Sequence, residues 1–578
     1  MYLLIRDQAA FKQAIAQIDF EQPIFCDTET SEEYGKTKPK KGLYGRVRLF
    51  QVYQKGWPMA LLFDCYFIEL EQILSKLVVG HLVWHNASYD LHTINLTTDT
   101  CWCSDRIDDT FYLSKTKFCT ESKFDFYSCL KYAKWEDDVI RSIDKKENQQ
   151  YDWGGYLNAT ALKYAACDVL YLSLLYGTVK DSRDDIYDLD IANLKYALAY
   201  NRNGLPISRP VIKEIRMEQT LKLEEAMKYV PVNPGSHVQC KKWLGLPGTD
   251  ADTLAHHALR GNEDAAWLLK ARKATKILSF VEQYDADRIY AFHNSCGART
   301  SRMTCAGGDR YWRVNLQQPP RRLYPSFVAS EGMKLVYADF SGLELRMVGA
   351  YVGEPKLERL FKDGVDVHTN TGETLYDCPG NLTETQRWSA KMVSFTTIYG
   401  GGAVTVQGIM EKQGGKKVDI DGENGVKSLQ ARWLEKYDYV REWHKMHGKA
   451  LKVYGYVDTR SLLGRIIRAT TYTESFNFPI QASGAEVLKR SLWHLHQYGE
   501  DPKIVNVVHD SITMEHPEGE VAELWGRRLT DAMQQGWRDV VQHSAIPDMP
   551  MVIDTVVSNV LGVKDDATKA YDYGISEI

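Results

Sequence analysis

Apolar and polar positions follow two different periods along this chain, and the change from one to the other outlines its organisation. In roughly the first 180 residues, short apolar runs (PIFCD, VRLFQVY, MALLFD) read as strands and stretches such as LEQILSKLVVGHL read as helices. That alternation predicts an α/β domain. A charged segment, KDSRDDIYDLD, and the turn-forming NRNGLP follow, so a hinge is expected between about 180 and 205. From about 205 to 290 the pattern is mostly helical and includes the amphipathic AAWLLKARKATKILSFVEQY. Beyond it KLVYADF reads as a strand, and KIVNVV and SITMEH are separated only by His509 and Asp510. A two-residue spacer predicts a tight hairpin, yet His-Asp is not the Asn-Gly chemistry such turns favour, which points to a functional reason for these residues. Another helix is delimited by its ends: Thr383-x-x-Gln386 forms a capping box, ETQRWSAKMVSFTTIY carries no breaker, and Gly400, Gly401 and Gly402 stop it.

Composition narrows the class. The chain has 578 residues, enough for about four ordinary domains, or fewer with one large enzyme core. Hydrophobic residues at 44% and charged residues at 25% sit on the globular average and exclude disordered, collagen-like and coiled-coil chains. Lys+Arg 71 against Asp+Glu 76 gives a net charge of −5, so a polyanionic partner has to be held by local basic patches. No basic stretch leads into an apolar core at the N-terminus and no run of about 18 apolar residues occurs, so a soluble cytoplasmic protein without a membrane partner is expected. Eleven cysteines, none after Cys378, make no disulfide framework, and the lone Cys101-x-Cys103 reads as free thiols rather than as half a zinc site.

Carboxylates carry the chemistry of the N-terminal part. Asp27 and Glu29 end an apolar run and, at period two, project from one face of a strand. Asn86 and Asp90 in HNASYD, and Tyr164 and Asp168 in KYAACD, are each one helical turn apart. Four acids and a tyrosine in three ordered motifs resemble the DEDD exonuclease superfamily in its tyrosine-containing subgroup, over roughly residues 20–180. The resemblance implies an RNase H-like 3′–5′ proofreading domain. Asp27, Glu29, Asp90 and Asp168 would hold two Mg2+ about 3.5–4 Å apart, and Tyr164 would orient the attacking water at a single-stranded 3′ end. The basic segment KTKPKKGLYGRVR after the first motif reads equally as a solvated loop or as a phosphate-binding rim.

The C-terminal 370 or so residues show a second constellation. Asp339 closes KLVYADF and Asp510 sits at the hairpin tip, two places where strands deliver acids to a sheet edge, as a shared metal site needs. Arg387, Lys391, Phe395 and Tyr399 recur every four residues on the capped helix, so two cations and two aromatics follow one stripe suited to a nucleotide.

Together DFSGLELR, RWSAKMVSFTTIYG and VVHDS, with TSRMT, NLQQPP, DVHTNTG, YVDTRSLLGR and NFPIQASGAEVLKR in order, resemble the family A DNA polymerases over about residues 195–560. GARTSRMT and SGLELR look most like bacteriophage members. The resemblance implies a right-hand polymerase in residues 186–578 after an exonuclease domain in 1–185, with thumb about 205–290, palm about 290–380 and 475–578, and fingers about 380–475. It also implies that Asp339 and Asp510 bind two Mg2+, which Mn2+ can replace, while Arg387, Lys391 and His368 meet the dNTP phosphates and Lys391 protonates the leaving group. Phe395 would pack on the sugar, Tyr399 would occupy the template-base position, and Glu344 would exclude a 2′-hydroxyl. Arg302, Asn315, Gln317, Asn477, Gln481 and His509 would grip primer–template DNA, the minor groove offering acceptors common to all correct pairs.

Departures from the family pattern are Ser511 where a glutamate is usual, Ser301 in place of a glycine, and no arginine near Thr473. The expectation is a monomeric phage replicative polymerase acting in the host cytoplasm with 3′–5′ proofreading. No 5′-nuclease domain is expected before residue 1, and no long thioredoxin-binding insertion in 205–290. Partner replisome proteins are not specified by the sequence. A nuclease whose C-terminal half only grips nucleic acid and a noncatalytic replisome scaffold are the rival readings, opposed by the acids of the second and first constellations respectively.

Overall fold

The computed structural model describes residues 2–31, 46–135, 151–284, 286–306 and 314–563. The chain folds into two compact units, one comprising 1–203, 290–313 and 464–468 and the other 204–289, 314–463 and 469–578.

The first unit holds a six-stranded sheet of β1 (Tyr2–Ile5), β2 (Ile24–Ser31), β3 (Arg46–Tyr53), β4 (Ala60–Asp64), β5 (His81–Trp84) and β6 (Arg106–Asp109), in the order β1-β4-β3-β2-β5-β6. β2, β3 and β4 form an antiparallel meander, while β5 and β6 continue the sheet in parallel from β2. Parallel neighbours need crossovers, and helix Ala87–Thr98 supplies the one between β5 and β6. Helix Ala159–Val179 packs across β2, β3 and β4. The core between these layers includes Phe50, Phe63 and Trp84, with the Phe50 and Trp84 rings edge to face at 5.9 Å.

Three sequence expectations need correction here. LEQILSKLVVGHL is not one helix: Leu70–Leu77 is helical, and His81–Trp84 is strand β5. Leu82, Val83 and Trp84 are all buried, and a short continuous apolar run has no period that separates a buried strand from a helix. Asn86 is not one turn below Asp90 on a helix face. It is the N-cap, at φ +64, and its N–H donates to Asp109 Oδ1 at 2.9 Å. The boundary expected between about 180 and 205 falls within NRNGLP, between Asn203 and Gly204, and not in KDSRDDIYDLD, which after a 3-10 turn at Lys180–Ser182 begins helix Asp185–Asn203. Ile186, Tyr187 and Leu189 are buried there, and the Tyr187 hydroxyl donates to Asp108 at 2.6 Å. The first unit accordingly runs to Asn203 rather than 185, and segments 290–313 and 464–468, expected in palm and fingers, group with it. Most of KTKPKKGLYGRVR lies outside the described residues.

The second unit is built on a four-stranded antiparallel sheet in the order Ile504–Val508, Ser511–Pro517, Met333–Phe340, Ile553–Ser558. Helices Tyr472–His496 and Glu520–Val541 pack against each other, and the latter covers the sheet. Their approach depends on Gly536, where a Cβ would lie 2.6 Å from the Ser491 backbone nitrogen. The expected hairpin is present, with His509 at φ +50 in its two-residue turn. Helix Glu384–Ile398 has the expected capping box at Thr383 and Gln386, and Tyr399 is its C-cap. The predominantly helical stretch after residue 204 comprises Arg209–Met227, His237–Leu244, Ala251–Ala258 and Glu263–Gln283 around a small core that includes Leu254 and Leu268.

Candidate functional site

Each unit carries its own acidic centre. In the first, Asp27 and Glu29 leave β2 on one face, and Asp168 arrives from helix Ala159–Val179. Carboxylate oxygens of these three lie within 4.8 Å of one another, a grouping that can hold a metal ion. Asp90, from helix Ala87–Thr98, accepts from the Thr28 N–H at 3.1 Å and from its hydroxyl at 2.6 Å. Burial, then repulsion from neighbouring acids, raises Asp27, Glu29 and Asp90 well above the usual carboxylate range. Such crowding without an ion is costly, and it is the condition that a divalent cation relieves.

A cleft of about 430 Å³ opens beside these acids, lined by Asp27, Tyr164 and Asp168 together with His85, Phe126 and Tyr127. Burial first, then Asp168 and Glu29, pushes the Tyr164 phenol up, so it remains protonated and can donate or accept a hydrogen bond. Sequence reading missed Thr28, Tyr127 and the aromatic wall. Thr28 is hidden by its place inside the D-x-E motif, and Tyr127 lies on a short helix, Phe126–Tyr132, that carries no recognisable spacing.

The second centre stands at the end of the four-stranded sheet. Asp339, the penultimate residue of its strand, lies opposite Ser511 on one side and Asp554 on the other. Asp510 follows in the hairpin turn. Burial, then Asp510 and Asp554, pushes Asp339 up to about 7. Its buried Oδ1 accepts no hydrogen bond from the described residues. Ser511, in the family's glutamate position, closes the hairpin instead by donating to Val508 O at 3.0 Å.

A cavity of about 730 Å³ brings together Asp339, Asp510, Glu344, His368, Lys391 and Phe395. His368 and Phe395 rings meet at 5.7 Å. Burial, then Lys391, lowers His368 to about 4, so it is neutral at physiological pH. The four-residue stripe on helix Glu384–Ile398 divides: Lys391 and Phe395 line the cavity, whereas Arg387 is held by Asp366 at 2.7 Å and Tyr399 caps the helix. Asp366, Arg346 and Asp554 are functional-site residues that sequence reading missed. Arg346 lines the cavity with its guanidinium over the Phe361 ring at 4.1 Å, and burial lowers it to about 10. The only signal for Asp554 is the β-branched richness of VIDTVVS, which suggests a strand but not what it pairs with.

Of the residues expected to grip DNA, Asn315, Gln317, Asn477, Gln481 and His509 belong to the second unit and Arg302 to the first. Asn315 accepts from the Gln317 N–H at 3.0 Å, and Gln481 donates to Asn477 one turn away at 3.4 Å. Arg302 follows Ser301, which adopts φ +57 where the family pattern has glycine.

The described residues include no helix long and apolar enough to cross a membrane, and none of the eleven cysteines is in a disulfide. Residues 219–557 match the family model described as DNA polymerase family A. DNA polymerase I of Aquifex aeolicus is 26% identical over 96% of this chain and 98% of its own length. The DNA polymerase of Mycobacterium phage D29 is 29% identical over 44% of this chain and 39% of its own, and the chain spans less than two thirds of several longer relatives. The POL domain of Pol1 from M. smegmatis, solved in complex with DNA primer-template and dNTP, has the same fold, with a TM-score of 0.69, 18% identity, and coverage of 89% of this chain and 93% of that one. With the family match extending over more than half the sequence, this chain belongs to DNA polymerase family A.

Proposed function

We propose that this DNA polymerase extends primers at the Asp339/Asp510 centre and removes mispaired 3′ ends at the Asp27/Glu29/Asp90/Asp168 centre. The observation that carries the synthetic assignment is the convergence of Asp339, Asp510, Lys391, His368, Phe395 and Glu344 on one cavity. The order β4-β3-β2-β5-β6, a meander followed by two parallel strands, supports the RNase H-like reading of the first unit.

Asp339 and Asp510 would hold Mg2+ in the second unit, and Asp27, Glu29, Asp90 and Asp168 in the first. The unsatisfied Asp339 oxygen and the crowded, half-buried acids of the first unit fit that role. When bound, such cations lower the pKa of the attacking hydroxyl or water and neutralise the leaving group. Around them, Lys391 presents an ammonium to the triphosphate and donates the proton that leaves with pyrophosphate. His368, neutral, offers a hydrogen bond to phosphate. Arg387 exchanges its Asp366 partner for phosphate oxygens, two acceptors of like geometry. Phe395 packs on the sugar, Glu344 obstructs its 2′ face, and Tyr399 fills the template-base position before the helix closes. In the first unit the Tyr164 phenol orients the water.

In this reading residues 205–290 act as the thumb, about 380–475 as the fingers and the four-stranded sheet as the palm, with Asn315, Gln317, Asn477, Gln481, His509 and Arg302 gripping primer–template. The SGLELR wording and the phage D29 relative favour a phage replicative enzyme working as a monomer in its host's cytoplasm. A primer-extension gel with Mg2+, run with and without dNTPs, tests the proposal. Extension with dNTPs and 3′ shortening without them is expected; degradation alone would leave a nuclease, and neither activity would leave a scaffold.

A further inference from the structure

Within the second unit, helix Ala251–Ala258 of the thumb segment meets helix Ala403–Gly414 of the fingers segment. The contact is a built ionic joint. Glu411, only 1% exposed, accepts both arms of Arg260, at 2.8 and 3.1 Å, and His256 Nδ1 at 2.8 Å. Its Oε1 also accepts the Val418 N–H at 3.1 Å, and Gln407 donates to Val418 O at 2.6 Å, so the carboxylate is fixed from the fingers side as well. Asp252 and Lys412 pair at 2.9 Å beside it, and at Gly408 a Cβ would touch that of Asp252 at 3.9 Å. A carboxylate held by a bidentate arginine, a histidine and a backbone N–H gives the joint one fixed geometry with charge-assisted hydrogen bonds.

The joint closes a circuit. Strand Ile553–Ser558 lies beside the Asp339 strand, and the bridge from Val560 to Val328 ties it to the turn Arg321–Ser326. That turn packs on helix Arg209–Met227, with Arg322 paired to Glu218. Helix Arg209–Met227 packs on Glu263–Gln283, which packs on Ala251–Ala258. Across the joint, Ala403–Gly414 packs on Glu384–Ile398, and that on Val367–Tyr376, which carries His368 back to the cavity.

We propose that the Arg260/His256–Glu411 joint is a latch that retains primer–template DNA inside this circuit, so that the enzyme is processive without a separate clamp. The inference rests on the polymerase reading above for where the primer terminus lies. DNA seated at Asp339 and Asp510 against the thumb leaves sideways only when the latch parts. Dissociation is therefore governed by an ion-pair joint whose residues do not line the cavity, and nucleotide addition is not.

The test uses a labelled primer annealed to a single-stranded DNA circle, with excess unlabelled primer–template as trap. Arg260→Ala and Glu411→Ala are each expected to shorten the product made per binding event at least fivefold and to speed DNA release equally. Rapid-quench addition of the first nucleotide from the preformed complex should remain within twofold of wild type. The double variant should be no worse than either single one, because both remove the same joint. Asp252→Lys, on the exposed pair, provides a variant with little risk to folding, and adding Lys412→Asp should restore product length. Unchanged product length and release in Arg260→Ala and Asp252→Lys would overturn the latch. Longer products with faster DNA entry would also overturn it, showing that the joint excludes DNA instead. A wild type that extends no primer would refute the polymerase assignment of the site itself, which is a separate outcome.

Discussion

The two acidic centres solve one problem, holding like charges together, with different backbone devices. In the first unit a strand gives two acids at period two and two helices add one each, so that Asp90 is buried and Asp27, Glu29 and Asp168 are half-buried beside a cleft. In the second, a strand end and a two-residue turn bring Asp339 and Asp510 to the open rim of a sheet, with Asp554 beside them on the neighbouring strand. The inner centre is crowded, and burial raises Asp27, Glu29 and Asp90 well above their ordinary range. The rim centre is open to a cavity of about 730 Å³ that Lys391 and Phe395 line from one helix and that has room for a mobile substrate. A short, fixed single-stranded end suits the first; a triphosphate that must enter and leave in each cycle suits the second.

Removing the rim acids should have the largest effect. Asp339→Ala or Asp510→Ala is expected to lower the single-nucleotide incorporation rate at least about a thousandfold, several kcal/mol of transition-state stabilisation, with DNA affinity nearly unchanged because phosphate contacts elsewhere dominate it. Rapid-quench rates and a binding titration measure the two, and a variant within tenfold of wild type would place the chemistry elsewhere. Sugar choice comes next. Phe395→Tyr should raise dideoxynucleotide use relative to dNTP at least about tenfold, since the added hydroxyl can replace the missing 3′-oxygen, and Glu344→Ala should raise ribonucleotide use. Competition assays read both; equal losses for every substrate would make these residues packing elements only.

At the inner centre, Thr28→Val removes the hydroxyl that holds Asp90 at 2.6 Å. A loss of about 1 kcal/mol in positioning, or roughly five- to tenfold in 3′ degradation, is expected with synthesis unaffected. The smallest effect is on stability. Burial and mutual repulsion raise Asp27, Glu29 and Asp90, so the folded unit binds more protons than the unfolded chain and, without divalent cations, loses stability as pH rises from the ordinary carboxylate range through the raised one. Asp27→Asn should therefore raise the melting temperature in EDTA at pH 8 by about 2–4 °C for each kcal/mol of repulsion relieved, with the gain shrinking toward pH 5. Thermal unfolding at the two pH values checks it, and a gain that grows on acidification would reverse the sign.

The difference between the centres also explains what the sequence disclosed. Asp27, Glu29 and Asp339 sit in strands, and Asp510 in the turn between two, whose period and ends are visible in the residues themselves, and the Thr383/Gln386 box marks the start of the helix that carries Lys391 and Phe395. Asp554, Asp366 and Thr28 act through partners far away in sequence, and no local pattern records a strand register or a cross-helix ion pair. The same holds for segments 290–313 and 464–468, which join the first unit through long-range packing. His81 and Leu82, the start of strand His81–Trp84, read as the end of a helix in the sequence because a strand buried on both faces has no alternation to display.

Both centres predict separable activities, and one experiment addresses that most directly. The Asp27→Ala/Glu29→Ala and Asp339→Ala proteins are incubated with the same end-labelled primer–template and Mg2+, with and without dNTPs. The first protein should extend at nearly the wild-type rate and fail to shorten the primer, and the second should shorten the primer and fail to extend it. If either protein lost synthesis and degradation together, the assignment of one activity to each unit would be contradicted.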